Sequence, residues 1–275
     1  MKKNKINDID IVPVVTSTLK SDQILGYDYF PVLYSNIYIC AKRKSGKSTL
    51  IYNILKNCVS KKTNCVFFVS TIHRDDTYQK ILEMLEKKGC NVMAHAHFLE
   101  GKDNILQGIL SELDAQLEQE QTTNEKKSSD HKIVGCNFDE TRPEIKKERK
   151  PKKLAPEYIF IFDDLGADLR HPSITQLVKV SRHYKAKIIF SSQYIHDLTN
   201  SCIKNIDVAL LFKSFSEEKL LTLYTDLDIS CSFELFRDMY LDATKDKFQF
   251  FYIDCRQDEY RKIFNEAYEI KNDID

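Results

Sequence analysis

The chain has 275 residues, 42% of them hydrophobic and 30% charged, which suits one large α/β domain, or one domain with extensions, around a substantial core. Its 41 basic and 41 acidic side chains balance, so any contact with nucleic acid must come from a local patch. No apolar run approaches the ~20 residues of a membrane span, and the basic start lacks the apolar core of a signal peptide. The eight cysteines form no C-x-x-C pair, which predicts reduced thiols in a cytosol-like compartment.

The first elements along the chain are a lead-in and a loop that predicts phosphate binding. Residues 1–35 lack strong periodicity and predict a strand-like lead-in, with an apolar run at 11–15, that packs on the sheet edge. An apolar strand at 36–40 is then followed by a helical pattern, and between them lie Ala41, Lys42, Arg43, Lys44, Ser45, Gly46, Lys47, Ser48 and Thr49. This is the order of a P-loop, GxxxxGK[ST], with Ala41 where the first glycine belongs.

Such a loop has a clear chemical use. Its backbone N–H groups and the helix N-terminus behind it form an anion site. Lys47 would reach the β- and γ-phosphates of a nucleotide, and the Ser48 hydroxyl would ligate Mg²⁺. The alternative is a basic turn before an ordinary helix.

The next segments alternate between strand and helix patterns. The sequence predicts a buried strand at 65–70, a helix over 78–85 that ends at Gly89, a strand at 91–98 and a helix over 105–117. From about 120 to 156 polar residues dominate and a basic run stands at 146–153, which predicts a charged, flexible insertion. A loop without a dedicated role and a basic arm that contacts DNA fit this composition about equally well.

Two later strands end in polar groups. The apolar strand at 158–162 ends in Asp163 and Asp164, the Walker B pattern, in which Asp163 would hold Mg²⁺ and Asp164 would accept a proton from the attacking water. A helix N-cap aspartate is the alternative. The strand at 187–193 ends in Gln193, to which we assign the role of sensing the γ-phosphate or the lytic water; a glutamine in a surface turn is the alternative.

The remaining pattern completes the predicted fold. It gives a helix at 172–184, a strand at 207–212, helices at 217–226 and 233–240, a closing strand at 248–254 and an amphipathic segment at 260–268. The alternation predicts an α/β fold, a doubly wound and mostly parallel sheet with helices on both faces and nucleotide at its carboxyl edge. The predicted division is a lead-in at 1–35, a P-loop ATPase domain at 36–255 and a tail at 256–275.

The ordered motifs at 41–49, 158–166 and 182–193 resemble those of the genome-packaging ATPases of nucleocytoplasmic large DNA viruses, poxviruses and virophages, in the FtsK/HerA group of P-loop motors. The resemblance spans residues 35–255 and implies a RecA/FtsK-like ASCE fold that binds ATP and Mg²⁺. It also implies a homo-oligomeric ring that threads double-stranded DNA into a preformed capsid. Capsid or portal-vertex proteins would be partners, and the implied location is the host-cell cytoplasm at virus assembly sites, or the virion.

The resemblance also bears on single residues. Ala41 replaces a glycine, so the turn there must avoid positive φ or tolerate strain, and Asp164 replaces the usual glutamate, which shortens its reach to water. Arg182 matches an arginine-bearing position of the group, which implies that it reaches the γ-phosphate of a neighbouring subunit. A cap on the preceding helix or a pairing with an acid is the alternative, and Arg74 is a weaker candidate for the same task.

Other functions are less well supported by the residues. A P-loop kinase of nucleosides or small molecules would need a lid of arginines, and the insertion offers only Arg142 and Arg149. A non-catalytic nucleotide switch or capsid adaptor would not need the two acids and the glutamine described above.

Structural roles are favoured for two further clusters. The spacing of Cys90, His95 and His97 matches no zinc pattern, so structural histidines are favoured over metal ligands. The aromatic run at 248–252 is expected to form strand core and not a platform on which bases stack.

Overall fold

The computed structural model describes residues 19–97, 99–100, 103–129, 153–213 and 215–270. The apolar run expected to be strand-like at 11–15 lies outside these residues, as does most of the basic run at 146–153 with Arg142 and Arg149.

The described residues form strands and helices in alternation. The strands are β1 (Asn36–Cys40), β2 (Asn64–Val69), β3 (Asn91–His95), β4 (Leu99–Glu100), β5 (Asp103–Asn104), β6 (Tyr158–Asp163), β7 (Ala186–Ser192), β8 (Val208–Phe212), β9 (Phe250–Asp254), β10 (Glu259–Lys262) and β11 (Glu266–Ala267). The α-helices are α1 (Lys47–Cys58), α2 (Asp76–Lys88), α3 (Ile105–Ser129), α4 (Pro172–Val180), α5 (Asn200–Ile203), α6 (Glu217–Asp226) and α7 (Phe233–Ala243). Among the described residues, no helix has the length and apolar character needed to cross a membrane.

A nine-stranded sheet organises the fold, in the order β11-β10-β9-β8-β1-β7-β6-β2-β3. The six strands from β8 to β3 in this order run parallel, and β9, β10 and β11 join them antiparallel. This confirms the predicted mostly parallel α/β sheet. Strand β7, which precedes Gln193, lies between β1, which precedes the predicted P-loop, and β6, which ends at Asp163, so all three end at one edge.

Helices cover both faces of this sheet, as predicted. Alternate residues of β1 enter opposite cores: Ile37 and Ile39 pack on the face covered by α1 and α2, while Tyr38 and Cys40 pack on the face covered by α3, α4, α6 and α7. All five residues of β1 are buried, because a central parallel strand contacts helices on each side. The P-loop strand is therefore held rigidly at the centre of the molecule.

The carboxyl-terminal part differs from the prediction. The strand expected to close the sheet at 248–254 begins at Phe250, and the segment expected to be an amphipathic tail supplies β10 and β11, which extend the sheet. Tyr260 is buried and its ring stacks on Phe251 with the centroids 6.0 Å apart. The tail predicted at 256–275 is therefore partly sheet, since the backbone of β9 would otherwise be an unpaired edge.

The described part of the lead-in is not a strand. It contains a short 3₁₀ turn at Ser21–Gln23 and a single bridge from Ile24 to Leu154. Gly26 has a φ of 77°, and a Cβ there would lie 2.4 Å from the sulfur of Cys58, so the chain turns closely over α1 instead of extending. The segment still packs on the sheet, through the buried ring of Phe30.

Helix α3 reaches further than its apolar pattern indicates. Its buried face carries Leu106, Leu110 and Leu113, and the helix continues to Ser129, into the segment expected to be an insertion from about residue 120. Residues 130–152 lie outside the described part of the chain, so the predicted insertion stays a prediction beyond the end of this helix.

Candidate active site

The loop between β1 and α1 contains two residues in the left-handed backbone region. Positive φ occurs at Lys44 (64°) and Gly46 (100°) and not at Ala41. The N–H of Ala41 instead donates to the Ser192 carbonyl at 3.1 Å, which continues the ladder with β7. Alanine in place of glycine is thus accommodated without backbone strain at that position.

The other loop residues have distinct contacts. The hydroxyl of Ser45 donates to the Lys42 carbonyl at 2.7 Å and closes the turn. Arg43, Lys44 and Thr49 line a cavity of about 800 Å³ above the start of α1. Its volume is typical of small-molecule sites.

Lys47 connects the start of α1 to the end of β6. Its Nζ lies 2.8 Å from Oδ1 of Asp164 and 3.3 Å from Oδ1 of Asp163. The side chains of Lys47 and Asp163 are only 7% and 2% exposed, whereas that of Asp164 is 33% exposed. Lys47 is 116 and 117 residues from the two acids in sequence. The three side chains therefore form one cluster at the edge of the sheet.

Burial and charge act in opposite directions on this cluster. Burial by itself lowers the pKa of Lys47, but the charges of Asp163 and Asp164 outweigh it and the pKa is raised. Burial raises the pKa of Asp163, and Lys47 opposes this. The raised pKa consequently favours the charged form of the Lys47 ammonium.

Asp163 has a second partner that the sequence did not point to. The hydroxyl of Tyr78, on α2, donates to Oδ2 of Asp163 at 2.7 Å, and the Tyr78 ring is buried. Burial together with the Asp163 charge raises the Tyr78 pKa well above its ordinary value. The tyrosine therefore stays a donor and fixes the carboxylate from the side opposite Lys47.

Ser48 and Asp164 are placed by neighbouring loops. Oγ of Ser48 lies 3.5 Å from Oδ2 of Asp75, whose Oδ1 accepts the Thr77 N–H at 2.7 Å as the N-cap of α2. Asp164 has a φ of 53°, and its carbonyl accepts a hydrogen bond from Ser70 at 3.1 Å. These contacts hold a hydroxyl and several carboxylate oxygens around the mouth of the loop.

The predicted sensor lies beside this cavity and does not line it. Gln193 follows β7, whose last residue Ser192 is in register with Cys40. It lines a separate cavity of about 220 Å³ with Lys42, Tyr194 and Lys219 among others. The structure thus brings Gln193 to the same edge of the sheet as the loop before α1, in one cavity with Lys42.

The two arginine candidates lie at opposite edges. Arg74 lines the 800 Å³ cavity with Lys47 and Asp164. Arg182 precedes β7 and lines a larger cavity of about 990 Å³ with Asn36 and Asp207, which stand at the amino ends of β1 and β8. Arg182 is exposed and is not brought to the P-loop of its own chain.

Three residues of the site were not predicted from the sequence. Asp75 could have been found, because an aspartate before a helical pattern is a common N-cap. Tyr78 was counted only as an apolar position of α2. Phe248 was expected in strand core, but it is 59% exposed and lines the 800 Å³ cavity.

Cys90 and His95, for which structural roles are favoured over metal binding, contact an aromatic ring and a backbone carbonyl. The ring of His95 stacks on Phe68 at 5.3 Å, and Sγ of Cys90 donates to the Ser60 carbonyl at 3.3 Å. Among the described residues, no group of three or more His, Cys, Asp or Glu side chains could hold a metal ion by itself.

Comparison with known proteins gives a likeness of fold. No protein-family model matches the chain, and no curated protein matches it. The genome packaging NTPase B204 from Sulfolobus turreted icosahedral virus 2, in complex with AMPPCP, is 15% identical with a TM-score of 0.48, over 84% of this chain and 97% of that chain. The likeness is distant.

Two other solved structures are similar over part of their length. The pCW3 conjugation coupling protein TcpA is 12% identical with a TM-score of 0.44, over 79% of this chain and 56% of that one. EssC (ATPases 2 and 3) from Geobacillus thermodenitrificans is 15% identical with a TM-score of 0.41, over 69% and 34%. At this distance these likenesses support no statement about function.

Proposed function

We propose that the protein hydrolyses ATP at the cavity above α1. The observation that supports this best is the cluster in which Lys47, at the start of the P-loop helix, contacts both Asp163 and Asp164. A phosphate-binding lysine, an acid at the end of a buried strand and a partly exposed acid are the groups that γ-phosphate hydrolysis needs. They meet at a cavity whose volume, about 800 Å³, suits a nucleotide.

The residues take separate roles in this reaction. The Ala41 amide already donates to the Ser192 carbonyl, so the loop amides from Lys42 to Thr49 and the Lys47 ammonium bind the phosphates, where the N-terminus of α1 adds favourable charge. Asp164, the more exposed acid, accepts the proton of the attacking water. Gln193 orients the water or senses the γ-phosphate, and this requires it to move from its own cavity toward Lys47.

The oxygens at the site fit Mg²⁺. Ser48 offers a hydroxyl, Asp163 a carboxylate, and Asp75 a second carboxylate oxygen within 3.5 Å of Ser48, which is the hard-oxygen chemistry that this ion prefers. Ser48 and Asp163 would hold the ion. When bound, it neutralises charge on the β- and γ-phosphates.

Steady-state ATP hydrolysis tests the assignment. Lys47→Ala removes the phosphate-binding cation and Asp164→Asn the proton acceptor, so each should lower kcat roughly 10²-fold or more. Lys62→Ala, which removes an exposed lysine of the turn before β2, should hydrolyse ATP at the parent rate. Parent-like rates in Lys47→Ala or Asp164→Asn would sink the proposal.

We further propose that hydrolysis drives double-stranded DNA into a viral capsid by way of a homo-oligomeric ring. The order of the P-loop, Walker B and Gln193 strands supports this, as does the resemblance of the motifs. Capsid or portal-vertex proteins would be the partners, at assembly sites in the host cytoplasm. Duplex DNA should raise the ATPase rate, whereas a small-molecule kinase would instead respond to its acceptor and a nucleotide switch would show neither response.

A further inference from the structure

Phe248 is a large aromatic side chain that lies in the wall of the candidate nucleotide cavity. It stands in the turn between α7 and β9 and is 59% exposed. It lines the 800 Å³ cavity with Gly46, Lys47 and Thr49. Among the described residues that line this cavity it is the one aromatic ring, and the others are polar, charged or glycine.

The backbone conformation of Phe248 is unusual for its residue type. Its φ is 69°, in the left-handed region that bulky L-residues rarely adopt. Strained residues of this kind persist where the surroundings hold them, and they cluster at ligand-binding sites. Phe248 therefore has a strained backbone of the kind that is common at ligand-binding sites.

Two neighbours hold the ring against the phosphate loop. A Cβ at Gly46 would lie 3.2 Å from Cδ1 of Phe248, so the absence of a side chain at Gly46 lets the ring approach the loop backbone. The Nζ of Lys247 lies 4.8 Å from the ring centroid, a cation–π distance. The ring is thus packed on the loop that is proposed to bind phosphates, with much of its surface left in water.

The topology explains why the ring is at this edge. Phe250, at the start of β9, is paired with Phe212 at the end of β8, and β8 lies beside the P-loop strand. Because β9 is antiparallel, the turn before it comes to the carboxyl edge of the parallel strands. A residue in that turn is within reach of whatever the P-loop binds.

We propose that Phe248 is the surface on which the base of the bound nucleoside triphosphate stacks. An exposed, planar apolar ring at the rim of an otherwise polar cavity suits the flat face of a nucleobase. The inference rests on the proposed function, since it needs the triphosphate to lie along residues 41–49. Every base has a π-face, so this residue stabilises bound nucleotides generally and does not select one base by hydrogen bonding.

A fluorescence titration reports contact between the base and residue 248. The chain contains no tryptophan, so in Phe248→Trp the only tryptophan emission comes from residue 248. ATP should quench or shift its emission, whereas inorganic tripolyphosphate, which has the phosphates but no base, should have little effect. Leu241→Trp on α7, at a site 56% exposed and away from this cavity, should respond to neither.

Binding affinities give the second measurement. In Phe248→Ala the dissociation constant for ATP should rise about 5- to 150-fold, the range expected from loss of one stacked base, while that for tripolyphosphate stays unchanged. Phe248→Tyr should bind ATP like the parent. Unchanged ATP affinity in Phe248→Ala, or equal effects on ATP and tripolyphosphate, would overturn the stacking role.

A failure of the stacking role of Phe248 can be distinguished from a failure of the proposed ATPase function. If Lys47→Ala binds tripolyphosphate as tightly as the parent, the phosphate site itself is wrong and both proposals fall. Lys47→Ala instead loses tripolyphosphate binding if the phosphate site is assigned correctly. If, in that case, Phe248→Ala leaves the ratio of ATP to tripolyphosphate affinity unaltered, only the stacking role is contradicted.

Discussion

At the scale of single residues, the site is defined by an imbalance of charge. Lys47 contacts two carboxylates, so one ammonium faces two acids at a largely buried place. When a phosphate draws Lys47 toward itself, Asp163 loses its main compensating charge, and burying an unpaired carboxylate is costly. A divalent cation that approaches with the nucleotide would restore the balance, which couples the binding of metal and phosphate.

Lys187 is a second buried lysine, and it allows a test of stability against pH. It is 2% exposed, and its Nζ donates to the Val32 carbonyl at 3.0 Å and to Ser35 at 2.9 Å. Burial lowers its pKa to about 8. Between that value and the unfolded-chain pKa of roughly 10.4, the unfolded state binds more protons, so the free energy of unfolding should rise with pH, by at most about 3 kcal/mol.

Replacing Lys187 by methionine should remove this rise. In urea unfolding from pH 7.5 to 10.5, the free energy of unfolding of the parent should therefore increase relative to that of Lys187→Met as the pH rises. Lys62→Met, at an exposed lysine, should run parallel to the parent. A constant separation between Lys187→Met and the parent would contradict the lowered pKa.

At the scale of elements, the hairpin of β10 and β11 protects the edge of β9. Tyr260 is buried, and its ring stacks on Phe251. Ending the chain after Asp258 would remove that ring and leave every backbone group on one side of β9 unpaired. We expect the free energy of unfolding to fall by several kcal/mol, since loss of one buried aromatic costs about 3–5 kcal/mol, and light scattering to increase.

The matched control ends the chain after Ile270, which keeps both strands of the hairpin. Its urea midpoint and light scattering should stay close to those of the parent. If the protein that ends at Asp258 unfolds at the same urea concentration as this control, the hairpin does not stabilise the sheet.

This hairpin also shows why part of the fold could not be predicted. The central strands are continuous apolar runs, and the sequence predicted them to within a residue or two. Strand β10 is Glu-Tyr-Arg-Lys, and both residues of β11 are exposed, so neither carries a strand pattern of its own. Only pairing with β9 makes them strands, and pairing between distant segments is not local information.

Some residues of the candidate site also belong to local sequence motifs, whereas others are placed there only by packing. Lys47, Ser48, Asp163 and Asp164 belong to local motifs whose geometry follows from a strand that ends in a loop, so their roles can be proposed from the sequence alone, and these roles stay predictions. Tyr78 and Phe248 reach the site from α2 and from a turn before an antiparallel strand. Their positions depend on how those elements pack, which no local pattern contains.

At the scale of the whole molecule, the sheet separates Arg182 from the phosphate loop of its own chain. Arg182 lies before β7, at the amino edge, and the P-loop lies at the carboxyl edge. The seven residues of β7 span about 23 Å at ~3.3 Å per residue. An exposed guanidinium at that distance can meet a γ-phosphate only if the phosphate belongs to another copy of the chain.

Mixing two inactive proteins tests this arrangement. Arg182→Ala retains an intact P-loop, and Lys47→Ala retains Arg182. In a mixed ring, Arg182 of a Lys47→Ala subunit should therefore reach the nucleotide bound by a neighbouring Arg182→Ala subunit. We expect the mixture to hydrolyse ATP faster than the sum of the separate rates, since a trans arginine is worth about 10³–10⁵ in kcat in related NTPases. The control mixes Arg182→Ala with the double variant Lys47→Ala/Arg182→Ala, which has no arginine to offer and should give no gain. If both mixtures behave alike while the parent sediments as an oligomer with ATP and duplex DNA, Arg182 does not act on a neighbour, and Arg74, already in the wall of the cavity, becomes the arginine to test.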